Sequence, residues 1–291
     1  MPDYGSPTVR RRRLAAELRR LRERAGFTGD EVAERLGWSA SKISRIELHR
    51  TGIKQPDLLS LLDLYGIDDQ HRDDLLALAR ESTKTGWLET VAANVRGDYA
   101  ALLRAEAEAQ SVWNWEPQVI PGLLQTPEYA RAVMLGWHQM FDVPPGDVER
   151  RVEARLVRQQ VLERDPPLMV SAVIDESVLR RRLGDNSVMR GQLKRLSEVA
   201  ELVNVTIQIL PLSGDHVIGT GAFIYWKFAQ VHDIPLHDIV NVEHLTGSWY
   251  IEEEEDTYQY LKTFEALIAT SLAPRDSLHL ISRIARETWS S

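Results

Sequence analysis

The spacing of apolar and polar positions near the N-terminus predicts a run of short helices. Leu14, Leu18 and Leu21 recur at helical spacing, and arginines occupy the other faces of this predicted first helix. Similar patterns predict two short helices within residues 27–47 and two more beginning near Asp57 and Asp69. Five helices with short connections in about 80 residues are typical of a compact all-α domain.

Residues 27–47, FTGDEVAERLGWSASKISRIE, have the features of two helices joined by a tight turn. Thr28 and Glu31 fit a capping box, in which a hydroxyl and a carboxylate satisfy backbone N–H groups at a helix start. Gly37 stands where a helix must end and a positive φ is needed. Ser39 is suited to cap the second helix. The segment is therefore predicted to be a helix-turn-helix.

The second helix of this motif has a narrow apolar edge formed by Ile43 and Ile46. Small, hydroxyl and basic side chains are left facing outward, and these are the side chains that a helix needs in the major groove. The predicted DNA-binding residues of this region are Thr28, Ser39, Ala40, Ser41, Lys42, Ser44, Arg45 and Arg50.

The segment Leu14–Ile67 resembles the lambda-repressor-like, xenobiotic-response-element (XRE) family of helix-turn-helix proteins. The resemblance rests on the pattern T-x-x-E-x-A-x-x-L-G-x-S-x-S-x-I-S-R-I-E. Gly29 and Ala40 differ from the residues common in that family, which often has glutamines at these two positions, one touching a phosphate and the other reading an adenine. The resemblance therefore implies that base recognition falls on Ser41, Lys42 and Arg45.

Arg45 allows two interpretations. Its guanidinium could make a bidentate contact to guanine, or it could pair within the protein with Glu47 or a neighbouring acid. The sequence does not decide between them.

A run of four arginines, Arg10, Arg11, Arg12 and Arg13, lies on the predicted first helix. Charge runs are usually solvated helix faces. Beside a helix-turn-helix, phosphate contact is the favoured interpretation.

Charge distinguishes the two ends of the chain. Its 291 residues favour two domains and carry a net charge of −8. Residues 1–55 hold 13 basic and 7 acidic residues, whereas the remainder holds 22 basic and 36 acidic. Only the N-terminal end should favour phosphates.

The sequence also bears on the compartment. It contains no cysteine, which suits a reducing compartment. It shows no secretory signal and no apolar run of about 20 residues, so we expect a cytoplasmic, nucleoid-associated protein without a membrane span.

The helical periodicity breaks between residues 82 and 97. We therefore predict a DNA-binding domain over 1–82, a linker over 83–97 and an α+β domain over 98–291. In the last, a helix is predicted to run from Asp98 to the segment Trp113–Pro117. Short strands are predicted at 168–174, 205–210, 222–228, 239–243 and 247–251, forming a small, mostly antiparallel sheet with flanking helices.

This second region also resembles a family. It carries P-G-L-L-Q-T-x-x-Y-A-R from Pro121, the helix pattern R-x-x-R-Q from Arg155, then L-R-x-x-x-G, Q-L-x-x-L, I-L-P-L and a terminal P-x-D-S-L. That layout is similar to the WhiJ-like, antitoxin-like transcriptional regulators of actinobacteria. The resemblance implies control of development or secondary metabolism, a small partner protein encoded nearby, and no catalytic role.

Aromatic residues near the P-G-L-L-Q-T turn are candidates for a pocket or a docking edge, although core packing is the more usual role of tryptophan. The predicted partner- or ligand-binding residues are Trp113, Trp115, Leu123, Leu124, Gln125, Tyr129, Arg155 and Arg158.

Four acid–histidine doublets could in principle hold a metal: Asp215-His216, His232-Asp233, His237-Asp238 and Glu243-His244. Their spacing matches no ligand motif, so polar loop residues are favoured. There is no G-x-S-x-G elbow and no phosphate-binding glycine loop. No catalytic residue, metal or cofactor is predicted.

An acidic run, EEEED, follows Ile251. It could receive a basic partner or the protein's own basic arm. The favoured interpretation is the start of a helix, where negative charge faces the positive end of the dipole.

The sequence as a whole predicts a homodimeric, sequence-specific transcriptional regulator that binds double-stranded DNA, and whose second domain binds a small protein. A small-molecule sensor is the alternative for that domain. An enzyme targeted to DNA ranks last.

Overall fold

The computed structural model describes residues 9–81, 97–138, 145–214, 221–230, 237–245 and 247–289. The chain divides into two compact units. The first takes in the described residues of Met1–Glu108 and Phe228–Leu236, and the second those of Ala109–Lys227 and His237–Ser291.

The described residues of the first unit contain the five helices predicted from the sequence and one more. They are α1 (Val9–Arg24), α2 (Gly29–Leu36), α3 (Ala40–Glu47), α4 (Gln55–Tyr65), α5 (Asp69–Glu81) and α6 (Gly97–Glu108).

The core of α1–α5 is built from the apolar positions that repeat at helical spacing. Leu18, Val32 and Leu58 are fully buried within it, as are the α5 leucines Leu75 and Leu78. Because all five helices contribute to one cluster, the orientation of α2 and α3 is fixed by packing on their neighbours.

The second unit is α+β. Its elements are β1 (Ser111–Glu116), α7 (Pro127–His138), α8 (Pro145–Arg158), β2 (Met169–Asp175), α9 (Glu176–Arg180), α10 (Asn186–Val199), β3 (Val205–Leu210), β4 (Phe223–Lys227), β5 (Ile239–His244), β6 (Gly247–Ile251), α11 (Glu254–Thr270) and α12 (Pro274–Thr288). Short 3₁₀ turns lie at Gly122–Leu124 and Gln159–Leu162.

The six strands of the described residues form one sheet in the order β3-β2-β1-β4-β5-β6. The β1–β2 and β2–β3 pairs are parallel, while the β1–β4, β4–β5 and β5–β6 pairs are antiparallel. The sheet is therefore mixed, and the prediction of a mostly antiparallel sheet is wrong. The helices α7–α8 and α9–α10 are crossovers, and a helical crossover brings the next strand back in the parallel direction.

The central strand β1 is the element that the sequence misassigns. The predicted helix ends at Glu108, and Ser111–Glu116 is a strand whose side chains alternate between the two faces of the sheet. Trp115 on one face joins a cluster with Val173, Phe223 and Phe264. Helix α11 covers this face through Phe264 and Leu267.

The β3 edge of the sheet is closed by the segment that leads into α12. The N–H of Ile209 donates to Ser277 Oγ over 2.9 Å, and the N–H of Leu272 donates to the carbonyl of Ile209 over 2.9 Å. Gln208 Nε2 donates to the carbonyl of Leu272. The backbone of Ile209 is thus satisfied on the outer side of this edge strand.

The unit boundary and the predicted linker do not coincide. The linker, 83–97, lies almost entirely outside the described residues, and α6, which the prediction gives to the second domain, belongs to the first unit. The domain limits stay a prediction. Among the described helices, none is long and apolar enough to cross a membrane.

Candidate nucleic-acid interface

Local hydrogen bonds define the ends of α2 and the start of α3. The Thr28 hydroxyl accepts from the N–H of Glu31, and the Glu31 carboxylate accepts from the N–H of Thr28 over 2.7 Å, which completes a capping box at the start of α2. These bonds lower the pKa of Glu31. Gly37 ends α2 with a φ of 66°, and Ser39 caps α3 by accepting from the N–H of Lys42. A helix-turn-helix is present where the sequence predicts one.

Helix α3 presents one face to the core and another to solvent. Ile43 and Ile46 are buried in the core of the first unit. The exposed residues of the predicted DNA-binding set are Thr28, Ser39, Ala40, Ser41, Ser44, Arg45 and Arg50. The outward face of α3 therefore carries the small, hydroxyl and basic side chains that fit a major groove.

The end of α3 is held by an ion pair with α1. Arg22 donates from Nε and Nη2 to the two carboxylate oxygens of Glu47 over 2.7 and 2.9 Å. Its Nη1 also donates to the carbonyl of Phe27, just before α2. The pair is largely shielded from solvent and raises the pKa of Arg22, chiefly through the hydrogen bond to Glu47. One guanidinium therefore positions all three helices.

This pair bears on the two interpretations of Arg45, because it removes Glu47 as a partner. The Glu47 carboxylate already accepts both bonds from Arg22, so Glu47 is not the partner of Arg45. Arg45 is exposed, and its side chain makes no hydrogen bond or ion pair within the described part of the chain, although its carbonyl accepts from the N–H groups of Arg50 and Thr51. The guanidinium is available for a base edge, and its role in base contact stays a prediction.

Lys42 is less available than the sequence suggests. Its ammonium lies 3.0 Å from the carboxylate of Asp57 at the start of α4 and 3.5 Å from the ring centroid of Trp38. Lys42 would have to exchange these contacts in order to meet DNA. Arg22, Trp38 and Asp57 are the residues of this site that sequence reasoning missed, since only tertiary packing brings them to α3.

The four arginines of α1 do not act as a group. Arg13 is only 4% exposed and donates to the carbonyl of Ala229 over 2.6 Å, and burial lowers its pKa. This burial argues against phosphate contact by Arg13, which stays a prediction. Arg10 pairs with Glu108 at 3.6 Å, and Arg11 and Arg12 are partly exposed. Phosphate contact stays a prediction for these three.

In the second unit, Trp113 and Trp115 lie among aromatic side chains. Trp113 stacks on Tyr225 and on Phe264, each with 5.4 Å between ring centroids, and the Lys227 ammonium lies 4.4 Å from its ring centroid. Trp115 is buried in the cluster beneath α11. Both side chains contribute to packing.

The P-G-L-L-Q-T segment is held by a network of side-chain amides and arginines. Gln125 donates to the carbonyl of Ile120 over 2.6 Å and accepts from Arg155 Nη1 over 2.7 Å. Gln159 donates to the carbonyl of Gln125, and Gln192 to that of Leu124. The predicted partner-binding residues of this turn are thus brought together, but largely in the interior. Those that are buried are Leu123, Leu124, Gln125, Tyr129 and Arg158.

A carboxyl group lies close to this network. Burial, with a smaller contribution from Glu243, raises the pKa of Glu116 to about 8. Arg155 and Arg158 act in the opposite direction. Glu116 therefore keeps its proton to a higher pH than an exposed glutamate does.

The described acid–histidine doublets have contacts of their own. Asp238 accepts a hydrogen bond from the Tyr225 hydroxyl over 2.6 Å, and the His244 ring lies 4.8 Å from that of Trp249, centroid to centroid. The doublets at 215–216 and 232–233 lie outside the described residues. In the part that is described, no group of three or more histidine, aspartate and glutamate side chains could hold a metal ion.

Two known protein families match segments of the chain. A helix-turn-helix domain family matches residues 13–75, and a family described as a domain of unknown function (DUF5753) matches residues 99–283, more than half of the chain. No curated protein and no solved structure shows significant similarity. The DUF5753 match carries no functional description, so the resemblance to WhiJ-like regulators stays a prediction.

Proposed function

The chain belongs to the DUF5753 family, and with a helix-turn-helix domain ahead of that domain we propose that it is a sequence-specific transcriptional regulator. The observation that carries the proposal is that α3 is held in place on one face and exposes a basic side chain on the other. Its inner face is fixed by Ile43, Ile46 and the Arg22–Glu47 pair, while Arg45 is exposed and unpaired within the described residues. A rigid helix with an available guanidinium can form bidentate contacts to guanine.

The proposed regulator acts as a homodimer on double-stranded DNA. A dimer places two copies of α3 about one helical turn, ~34 Å, apart on a palindromic site. Such a protein acts in the cytoplasm, at the nucleoid. The proposal assigns it no catalytic step.

The test of this function is selection of duplexes from a random library, followed by titration of the selected site over a range of salt concentrations. We expect an enriched palindromic sequence whose binding weakens steeply as salt rises, because phosphate contacts release counterions. A protein that enriches no sequence, or whose weak binding does not respond to salt, is not this regulator.

We further propose that the second domain binds a small partner protein, as in an antitoxin-like regulator of development or secondary metabolism. The motif layout from Pro121 onward supports this role through its resemblance to WhiJ-like regulators. The side chains predicted to bind a partner or a ligand are largely buried, and Gln125 and Arg155 bond to each other. A partner protein would therefore contact the surface of this domain outside that buried set.

Copurification with the products of neighbouring genes tests the partner, and thermal shift against metabolites tests the sensor. A ligand present at 100 times its Kd stabilises a folded protein by roughly 2.7 kcal/mol, which is readily detected. We expect a copurifying small protein and no such shift. A metabolite that gives the shift, with no copurifying protein, would favour the sensor.

A further inference from the structure

The two edges of the sheet in the second unit differ. At the β3 edge, the backbone of Ile209 is bonded on its outer side by Ser277 and Leu272. At the other edge β6 is the last strand, and no described strand pairs with its outer side. Native proteins usually block such an edge with proline, lysine, a bulge or a covering segment. The sequence of β6, GSWYI, contains neither proline nor lysine.

The register shows which backbone groups face outward. The carbonyl of Trp249 accepts from Asn241 Nδ2 on β5, so the backbone of Trp249 faces β5. Alternate residues of an edge strand direct their N–H and C=O groups to opposite sides. The N–H and C=O of Ser248 therefore face the outer edge.

Apolar side chains are exposed along the same hairpin. Trp249 on β6 is 64% exposed, and Leu245, between β5 and β6, is 70% exposed. Large apolar side chains beside an open strand edge are typical of surfaces that accept another strand, because they give the added strand an apolar contact.

Negative charge continues from the end of β6. Glu253, Glu254, Glu255 and Asp256 are all exposed, and none of them forms an ion pair with the described residues. They begin α11, as the favoured interpretation of this run predicts. Four adjacent carboxylates at the end of an open strand attract a positively charged segment.

We propose that the β6 edge, Gly247–Ile251 with the carboxylates 253–256, is the docking site for an extended, basic segment of a partner protein. The segment adds to the sheet as a seventh strand, pairs with the outward backbone of Ser248, packs an apolar side chain on Trp249 and places lysine or arginine near the carboxylates. This inference rests on the proposed partner-binding role of the second domain and is independent of how α3 contacts DNA.

Charge favours such a partner over a second copy of the chain. Residues 245–258 contain no lysine and no arginine. A second copy that paired through its own β6 would bring no positive charge to the acidic run from this segment. A basic strand from another protein satisfies both the backbone edge and the carboxylates.

The test titrates the full chain into fluorescein-labelled heptapeptides and follows anisotropy. The probe KVKVKVK can form a basic strand, EVEVEVE reverses its charge, and KPKPKPK keeps the charge but cannot pair as a strand. We expect KVKVKVK to bind at least about tenfold more tightly than either control and to weaken as salt rises. Hydrogen exchange of the wild-type chain should show added protection within Gly247–Ile251 when KVKVKVK is present.

Variants locate the site. Ser248→Pro removes the outward N–H and should weaken KVKVKVK binding about tenfold or more, whereas Ser248→Ala keeps the N–H and should bind like wild type. The double variant Glu253→Gln/Glu255→Gln should reduce both the affinity and its dependence on salt. DNA affinity is measured in parallel, and we expect it to be unchanged in all three variants because they lie outside the helix-turn-helix.

Three results would overturn the proposal. Equal binding of KPKPKPK and KVKVKVK would show simple charge attraction. Full affinity in Ser248→Pro, with no added protection at β6, would place the peptide elsewhere. A wild-type dimer that becomes a monomer in Ser248→Pro would show that a second copy occupies the edge. If the wild-type chain showed no sequence-specific DNA binding, that result would instead contradict the proposed regulator function.

Discussion

Arg22 and Glu47 form a bidentate ion pair that joins α1 to the end of α3, with Nε 2.7 Å from Oε1 and Nη2 2.9 Å from Oε2. The pair does two things. It fixes α3, the helix proposed to face DNA, and it occupies the carboxylate that would otherwise compete for Arg45. The availability of Arg45 is thus a consequence of the position of Arg22, 23 residues earlier in the chain.

Breaking this pair should destabilise the helix-turn-helix domain. Glu47→Ala leaves a largely buried guanidinium without its carboxylate, so we expect the free energy of unfolding to fall by roughly 3 kcal/mol, measured by urea denaturation. Arg19→Ala is the control, because Arg19 pairs with Glu23 on the surface, and it should cost less than about 1 kcal/mol. If Glu47→Ala costs no more than Arg19→Ala, the pair does not hold α3.

Releasing Lys42 should strengthen binding to DNA. Asp57→Asn removes the carboxylate that holds the Lys42 ammonium, so we expect higher affinity and a slope of log affinity against log salt that is steeper by about one charge. Asp63→Asn is the control, since it removes the same charge from α4 at a residue paired with Arg72. Equal effects of the two variants would mean that net charge alone is responsible.

Two neighbouring serines should differ in what they do. Ser39 caps α3, so Ser39→Ala should lower the free energy of unfolding by about 1 kcal/mol. Ser41 is exposed on α3, so Ser41→Ala should change stability by less than about 0.5 kcal/mol and lower the affinity for the selected duplex. Denaturation and DNA titration of both variants check this. An unstable Ser41→Ala with unchanged DNA affinity would reverse the assignment.

The free energy of unfolding should decrease as pH rises, because Glu116 has a raised pKa in the folded chain. Its pKa is raised to about 8 in the folded chain, so between its ordinary value, near 4.5, and about 8 the unfolded chain ionises while the folded chain keeps the proton. The free energy of unfolding should therefore decrease as pH rises across this window, by at most about 1.4 kcal/mol per pH unit from this group.

Two variants isolate that contribution in denaturation at pH 5 to 9. Glu116→Gln should flatten the decrease, while Glu201→Gln, at an exposed glutamate of the same unit, should leave it unchanged. The account of Glu116 fails if the two variants show the same dependence on pH.

Features set by neighbouring residues could be predicted from the sequence. The capping box at Thr28, the cap at Ser39 and the left-handed Gly37 depend on residues within one helical turn, and all three are present. These local signals place the helix-turn-helix correctly. They also place the start of α11 at the acidic run.

Features set by distant residues could not be predicted. An alanine-rich helix, α6, runs almost directly into β1, and only pairing with β2 and β4 makes Ser111–Glu116 a strand. Arg13 looks like a surface arginine until Ala229 is placed beside it. Likewise, no pattern within α3 shows that Glu47 forms an ion pair with Arg22, or that Lys42 forms one with Asp57.

The most direct test of the central claim compares the base preferences of wild type and Arg45→Ala at every position of the selected duplex. We predict that the variant loses roughly 1–3 kcal/mol of affinity and loses its preference at one G·C pair in each half-site, with the other positions unchanged. Arg24→Ala, at an exposed arginine of α1, should keep the full preference. An unchanged profile in Arg45→Ala, or a uniform loss across all sequences, would contradict base recognition by Arg45.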